Sequence, residues 1–138
     1  MAIYGVGAFY DEDVSSQFIA AGIAGIGWSR DDAPDLHQFM RTLKVGDIVY
    51  IKAQRPGSDL TVKAIGLVTT DEVSEVPGLA KCARTVRWIS TETFTVPVAR
   101  QKNNVRNNTL YEEHHPAVQM AILERIRAQE PRSPGAAR

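Results

Sequence analysis

The residue best suited to contact a ligand is Trp28, which follows the glycine-punctuated apolar run Gly25-Ile26-Gly27. Glycine is tolerated where a chain turns or passes close to another group. Two glycines just before a large aromatic residue therefore predict a strand end that presents Trp28 at a special position. An indole face can stack on a planar ligand such as a nucleobase. Aromatic side chains also dominate protein cores, so the spacing leaves a core role for Trp28 open.

A second group of candidate residues is basic and rich in amides, and it lies between residues 100 and 108. Arginine, lysine and asparagine bind phosphate groups and base edges, so this composition predicts nucleic-acid contacts. The same composition is typical of a turn-rich loop, and that alternative stays open. The predicted contacts to a nucleic-acid backbone are made by Arg100, Lys102, Arg106 and Asn107.

Other kinds of chemistry find little support among the remaining polar residues. His114 and His115 are adjacent, His37 is remote and Cys82 is the single cysteine, so the ligands of a tetrahedral metal site are lacking. The chain has no Gly-x-Ser-x-Gly nucleophile motif and no phosphate-binding glycine loop. We therefore expect no metal, no cofactor and no catalysis, with Cys82 as a buried, reduced thiol.

Composition indicates one globular domain. The chain has 138 residues, of which 43% are hydrophobic, and 16 basic residues balance 16 acidic ones. This length predicts a single domain over residues 1–128, followed by a disordered tail over 129–138. A net charge of zero excludes a general electrostatic attraction to nucleic acid, so a polyanion would have to bind a local patch of positive charge. No apolar run is long enough to span a bilayer and no signal peptide is evident, so we expect a cytoplasmic protein without membrane contact.

The elements that would position these residues are mainly strands. Apolar, β-branched and aromatic runs bounded by Gly, Pro and acidic clusters predict strands, and apolar residues at helical spacing predict helices. The predicted strands span 3–10, 23–28, 48–53, 60–68, 81–89 and 94–98, and the predicted helices span 15–21, 34–43 and 116–128. Residues 70–79, with several acids and a Pro-Gly pair, are expected to form a mobile connection.

The order of several motifs resembles the PUA-like superfamily, in particular its EVE, YTH and McrB N-terminal-like branch. The resemblance covers most of residues 3–128. It depends on a glycine-preceded Trp, then a Lys-x-Gly-Asp turn followed by a strand, then a strand containing Gly66. The motifs in order are Gly25-Ile26-Gly27-Trp28, Lys44-Val45-Gly46-Asp47, Val62-Lys63-Ala64-Ile65-Gly66-Leu67-Val68, Val86-Arg87-Trp88-Ile89 and Arg106-Asn107-Asn108-Thr109-Leu110-Tyr111. The resemblance implies an α+β fold with a curved, mostly antiparallel β-barrel, short flanking helices and a C-terminal helix.

EVE and YTH members of that superfamily hold a modified base in an aromatic pocket, so the resemblance implies a non-catalytic binding module for a nucleobase in DNA or RNA. Trp28 would be one wall of the pocket, followed by Ser29 as in YTH domains. The predicted ligand-binding set is Gly27, Trp28, Ser29, Tyr50, Lys63 and Trp88. The second aromatic wall of YTH domains has no counterpart in residues 69–79, which contain no aromatic residue.

Two other functions stay open from the sequence. A free nucleotide or another small molecule could occupy the same pocket. Alternatively, the chain could be an enzyme or a subunit of a defence or regulatory system. The base, the choice between DNA and RNA, and the oligomeric state are not determined by the sequence.

Overall fold

One mixed sheet and the helices packed on it make up the part of the chain that the computed structural model describes, residues 1–53, 58–98 and 105–129. The elements in chain order are β1 (Ile3–Gly7), α1 (Ser15–Ala21), β2 (Ile23–Ile26), α2 (Pro34–Thr42), β3 (Ile48–Ala53), β4 (Leu60–Val76), β5 (Ala80–Ser90), β6 (Phe94–Val96), a 3₁₀ turn (Val105–Asn107), β7 (Leu110–Glu112) and α3 (Pro116–Gln129). The prediction of an α+β fold is confirmed.

The sheet runs in the order β2-β5-β4-β3-β1-β7, and β6 pairs with the beginning of β4. Among the described strands, only β1 and β3 pair in parallel. The ladder formed by these strands is open, with β2 and β7 at its two ends. β1 nevertheless approaches β2, although three strands separate them in the sheet order, so the sheet must curve.

The two faces of the sheet bury separate apolar clusters. Strand β3 shows the division, because successive side chains of a strand point to opposite faces. Val49 and Ile51 pack in the cluster that contains Phe18 of α1. Ile48 and Tyr50 pack in the other cluster, together with Val118 of α3. Helices α1 and α3 therefore cover opposite faces of the same sheet.

Strand β4 is longer than the sequence pattern predicts. The expected mobile connection over residues 70–79 is wrong for residues 70–76, which continue β4 and pair irregularly with β5. The acidic residues of this stretch are exposed, so a strand with one solvated face accommodates them. The turn itself is confined to residues 77–79, where Gly78 has a φ of +78°.

Arg84 of β5 joins three elements from inside the core. Its side chain is fully buried, and its Nη1 donates to the carbonyl oxygens of Met40 at 2.9 Å and of Leu43 at 2.5 Å. Its Nη2 donates to the carbonyl oxygen of Thr70. Desolvation lowers the pKa of the guanidinium. Arg84 thereby satisfies carbonyl groups at the end of α2, which have no partner within the helix.

The C-terminal helix is confirmed and extends one residue into the predicted tail. α3 ends at Gln129, and the remaining residues, 130–138, lie outside the described part of the chain. No helix among the described residues combines the length and the apolar character needed to cross a bilayer.

Candidate functional site

A cavity of about 1080 Å³ opens where the ends of β1 and β2 meet the β4–β5 turn. Its walls include Phe9, Tyr10 and Trp28 from the segments after β1 and β2. Lys52 and Lys63 from β3 and β4 also line it. We call this cavity the Trp28 pocket. Lys81 of β5 lines it as well, so three aromatic residues and three amines surround one space.

Trp28 forms one wall of the pocket and is held at two points. The residue is 53% exposed, so it is not a core residue. Its indole Nε1 donates a hydrogen bond to Oγ1 of Thr109 at 3.3 Å. Its carbonyl oxygen lies 2.7 Å from Nε2 of His37 in α2, which must carry the proton because a carbonyl only accepts. The indole is thus fixed in place while its surface stays open to a ligand.

Phe9 and Tyr10 supply aromatic surface to the pocket. The predicted strand over residues 3–10 is wrong for residues 8–10, which follow the end of β1. β1 ends at Gly7, and Phe9 then bridges to Asp13 across a tight turn. Phe9 is 70% exposed, whereas the Tyr10 ring packs edge-on against Phe18 with ring centroids 6.3 Å apart. The glycine at position 7 and the acidic residues 11–13 were the only available signals that the strand stops early.

Gly27 allows the backbone of the pocket wall to lie directly against the ring of Tyr10. A Cβ at this position would lie 2.9 Å from Cε1 of Tyr10, which is closer than two carbon atoms normally come. The Tyr10 hydroxyl is buried and has no hydrogen-bond partner among the described residues. Burial raises the pKa of Tyr10 to about 12. Tyr10 is therefore neutral at physiological pH and lies directly against the Gly27 backbone.

Two of the three lysines of the pocket, Lys52 and Lys63, have different partners. Lys63 forms an ion pair with Asp13. Lys52 donates from Nζ to the carbonyl oxygen of Arg106 at 2.5 Å, and burial lowers the pKa of its amine. Lys63, which the sequence predicts to bind a ligand, lies in the wall of the Trp28 pocket. The second amine, Lys52, was missed because it follows a strongly apolar strand sequence.

Asp13 gives a direct check on the geometry around Lys63. Hydrogen bonds from Lys63 and from Ser15 lower the pKa of Asp13 to about 2. Ionised Asp13 therefore stabilises the fold above its ordinary pKa of 3.8, and this contribution is lost as the pH falls toward 2.

In a Lys63→Gln variant we expect the Asp13 pKa to rise toward 3.8, as measured by carboxyl ¹³C NMR titration. Lys81→Gln, which removes an exposed amine from the same pocket, should leave it unchanged; equal values in both variants would contradict the pairing.

Three of the predicted ligand-binding residues lie outside the pocket. Ser29 lines a neighbouring cleft, and its Oγ accepts the backbone N–H of Asp32 at 3.1 Å. Tyr50 is fully buried on the opposite face of the sheet because the alternation of β3 directs it there. Trp88 packs against the core, and its Nε1 donates to the carbonyl oxygen of Phe18 at 3.2 Å.

The residues predicted to contact a nucleic-acid backbone do not form one described surface. Arg100 and Lys102 lie outside the described residues. Asn107 lines the Trp28 pocket. Arg106 is buried, and its guanidinium is directed inward, where Nε donates to Oε1 of Glu113 at 3.0 Å and Nη2 pairs with Oε2. Arg106 therefore cannot reach a phosphate from this position.

Arg106 belongs instead to a buried network that supports the pocket wall. Glu113 accepts hydrogen bonds from the hydroxyl of Tyr50 at 2.5 Å and from the guanidinium of Arg106. Tyr50 also contacts the hydroxyl of Tyr111 at 2.7 Å. The backbone that follows Arg106 carries Thr109, whose carbonyl accepts the N–H of Gly7 at 2.9 Å. The network thus fixes the segment that holds the Trp28 indole and the Lys52 amine.

The chain matches no protein-family model and no curated protein sequence. The chemistry of the site must therefore be inferred from its own residues. Within residues 1–53, 58–98 and 105–129, no group of three His, Cys, Asp or Glu side chains is placed to hold a metal ion. The arrangement combines open aromatic surface, lysine amines and polar groups of Asn107 and Thr109. It is suited to a flat ligand with a polar edge.

Proposed function

We propose that this chain is a non-catalytic module that binds a nucleobase in the Trp28 pocket, and that a modified base in DNA or RNA is its ligand. The observation that carries the proposal is the half-exposed indole of Trp28, fixed by Thr109 at the wall of a large cavity. A base that stacks on an aromatic side chain gains about 1–3 kcal/mol, whatever its identity. Other contacts must then select the base.

The polar groups of the pocket are suited to that selection. Asn107 offers both donors and an acceptor, Thr109 offers a hydroxyl, and Lys52 and Lys63 offer amines. Base edges present donors and acceptors in patterns that side chains of this kind distinguish. The apolar groups of Phe9 and Leu79 add surface that a methyl group or another small modification could contact.

The resemblance to PUA-like domains also supports the proposal. Gly27 and Trp28 from one motif of the resemblance and Lys63 from another line one pocket. The curved sheet, with β1 near β2, is compatible with a PUA-like barrel. We include that barrel in the proposal, as a closer description of the α+β fold.

A free nucleotide is the second candidate, and the size of the pocket favours it. About 1080 Å³ is more than a base needs and slightly exceeds the range of about 300–1,000 Å³ that is typical of small-molecule sites. Lysines 52, 63 and 81, all in the wall, could then meet the phosphates of the same ligand. The two candidates differ in whether the polymer contributes to affinity.

Substitution of Trp28 tests the proposal directly. We expect Trp28→Ala to weaken binding by about 1–3 kcal/mol, or roughly fivefold to 150-fold in Kd, because the stacking surface is lost. The probes are adenosine, N6-methyladenosine, cytidine and 5-methylcytidine, as nucleosides and within short single strands of DNA and RNA. Isothermal titration calorimetry compares the affinities of Trp28→Ala and the unchanged chain, because the variant lacks the tryptophan at the pocket. Fluorescence titration of a Trp88→Phe variant, in which Trp28 is the only tryptophan, then shows that binding occurs at the pocket itself.

Met120→Ala is the matched control, because Met120 is similarly exposed but lies on α3 and does not line the pocket. Its affinities should equal those of the unchanged chain. If Trp28→Ala binds every probe as well as the Met120→Ala control does, the proposed function is wrong.

A further inference from the structure

A second, smaller cleft of about 510 Å³ adjoins the Trp28 pocket. Lys81 and Glu75 line both cavities, and the chain passes from the first to the second between Trp28 and Ser29. Arg30 and Arg41 line only the second cavity. We call it the basic cleft. A ligand could therefore extend from one cavity into the other along the turn between β4 and β5.

The basic cleft carries an excess of exposed cations. Arg30 lies in the turn after Trp28 and Arg41 in the last turn of α2, and both are exposed. Neither forms an ion pair with any residue in the described part of the chain. The acids next to Arg30 in sequence, at positions 31 and 32, do not line the cleft, where Glu75 is the acidic residue.

Cys82 lies in the wall of the cleft, and the positive charges of the cleft affect the pKa of its thiol. Burial raises the pKa of Cys82, whereas the positive charges of Arg41 and Arg30 act in the opposite direction. Both guanidinium groups therefore act on the same wall of the cleft. A local positive region of this kind can attract a polyanion even though the net charge of the chain is zero.

We propose that Arg30 and Arg41 hold the phosphodiester backbone that flanks a base bound beside Trp28, so that the ligand is a polynucleotide rather than a free nucleotide. This inference rests on the proposed function, because the base must occupy the Trp28 pocket for its neighbours to reach the basic cleft. Guanidinium groups bind phosphate oxygens through paired hydrogen bonds, and such contacts position a strand without reading its sequence. The assignment places the backbone contacts on Arg30 and Arg41 in place of Arg106, whose guanidinium is buried.

The test compares a double variant, Arg30→Gln with Arg41→Gln, with the matched control Arg87→Gln with Arg127→Gln. All four arginines are exposed, and the control pair lines neither cavity. The probes are a fluorescein-labelled single-stranded DNA of mixed sequence, about nine nucleotides long, its RNA counterpart, and the nucleosides used above. Affinities are measured between about 50 and 200 mM salt.

We expect the double variant to bind the oligonucleotides about tenfold more weakly at 100 mM salt. Its plot of log K against log salt should be shallower by about 1.4, since each lost phosphate contact removes about 0.7 from a single-strand slope. Nucleoside binding should be unchanged, because Arg30 and Arg41 do not line the Trp28 pocket. The control variant should retain both the affinity and the slope of the unchanged chain.

The outcomes separate this inference from the proposed function. If nucleosides quench Trp28 and the double variant binds oligonucleotides with unchanged affinity and slope, the inference is wrong and the proposed function stands. Failure of the unchanged chain to bind either oligonucleotide at 50 mM salt also overturns the inference. If Trp28→Ala has no effect on any probe, the proposed function itself fails, whatever the arginine variants do.

Discussion

Replacing Glu113 by alanine is expected to lower the free energy of unfolding by about 3–5 kcal/mol, because it removes the buried carboxylate that pairs with the buried guanidinium of Arg106. Glu113 is almost fully buried and accepts hydrogen bonds from Tyr50, Arg106 and the backbone N–H of His115. The Tyr50 hydroxyl and the Arg106 guanidinium would each lose a hydrogen-bond acceptor at a buried position. Urea denaturation followed by circular dichroism measures the change.

The neighbouring residue Glu112 is the matched control. It is exposed, and its pairing with His114 spans 3.5 Å between two solvated side chains. Glu112→Ala should therefore change the free energy of unfolding by less than about 0.5 kcal/mol. Similar losses in the Glu112 and Glu113 variants would mean that the buried network does not support the fold.

Replacing Arg84 by methionine is expected to lower the free energy of unfolding by about 2–4 kcal/mol, mainly because the carbonyls of Met40 and Leu43 lose their donor. Methionine fills much of the same volume, which limits the loss of packing. The substitution also removes a buried charge, which offsets part of the cost. Chemical denaturation again gives the magnitude, and faster amide hydrogen exchange at the end of α2 would locate the effect.

Arg87 lies three residues further along the same strand and is exposed, so Arg87→Met isolates the contribution of burial. We expect this variant to unfold within about 0.5 kcal/mol of the unchanged chain. The role assigned to Arg84 would be refuted by equal stabilities of the two variants.

The sequence was sufficient to predict the individual elements where local signals are strong. β3 has its predicted bounds, and α3 begins at the expected proline. The prediction of secondary structure failed where pairing with another strand determines whether a segment is extended. Residues 70–76 carry acids that alone favour a loop, yet β5 provides a partner along their length. Buried Arg84 could not be foreseen, since only the fold brings carbonyl groups of α2 and β4 around it.

For the candidate site, the structure brings together only some of the residues that the motifs indicated. Gly27, Trp28 and Lys63 line one pocket, whereas Trp88, which belongs to another of the motifs, packs against the core, and ligand binding by the pocket stays a prediction. Tyr50 was misplaced because alternation along a strand defines two faces without saying which one meets the ligand. Phe9 and Tyr10 were missed because the local pattern continued their strand, while the bridge between Phe9 and Asp13 turns the chain toward Trp28.

The two anchors of Trp28 have a thermodynamic consequence. The hydrogen bond from the indole to Thr109, together with the contact between His37 and the Trp28 carbonyl, restricts Trp28 when the chain folds, before any ligand arrives. Ordering a side chain at a binding site otherwise costs about 0.5–1.5 kcal/mol during association. A ligand of this pocket is largely spared that entropic loss. The affinity of the site therefore depends on the stability of the elements around it as well as on the contacts that it makes.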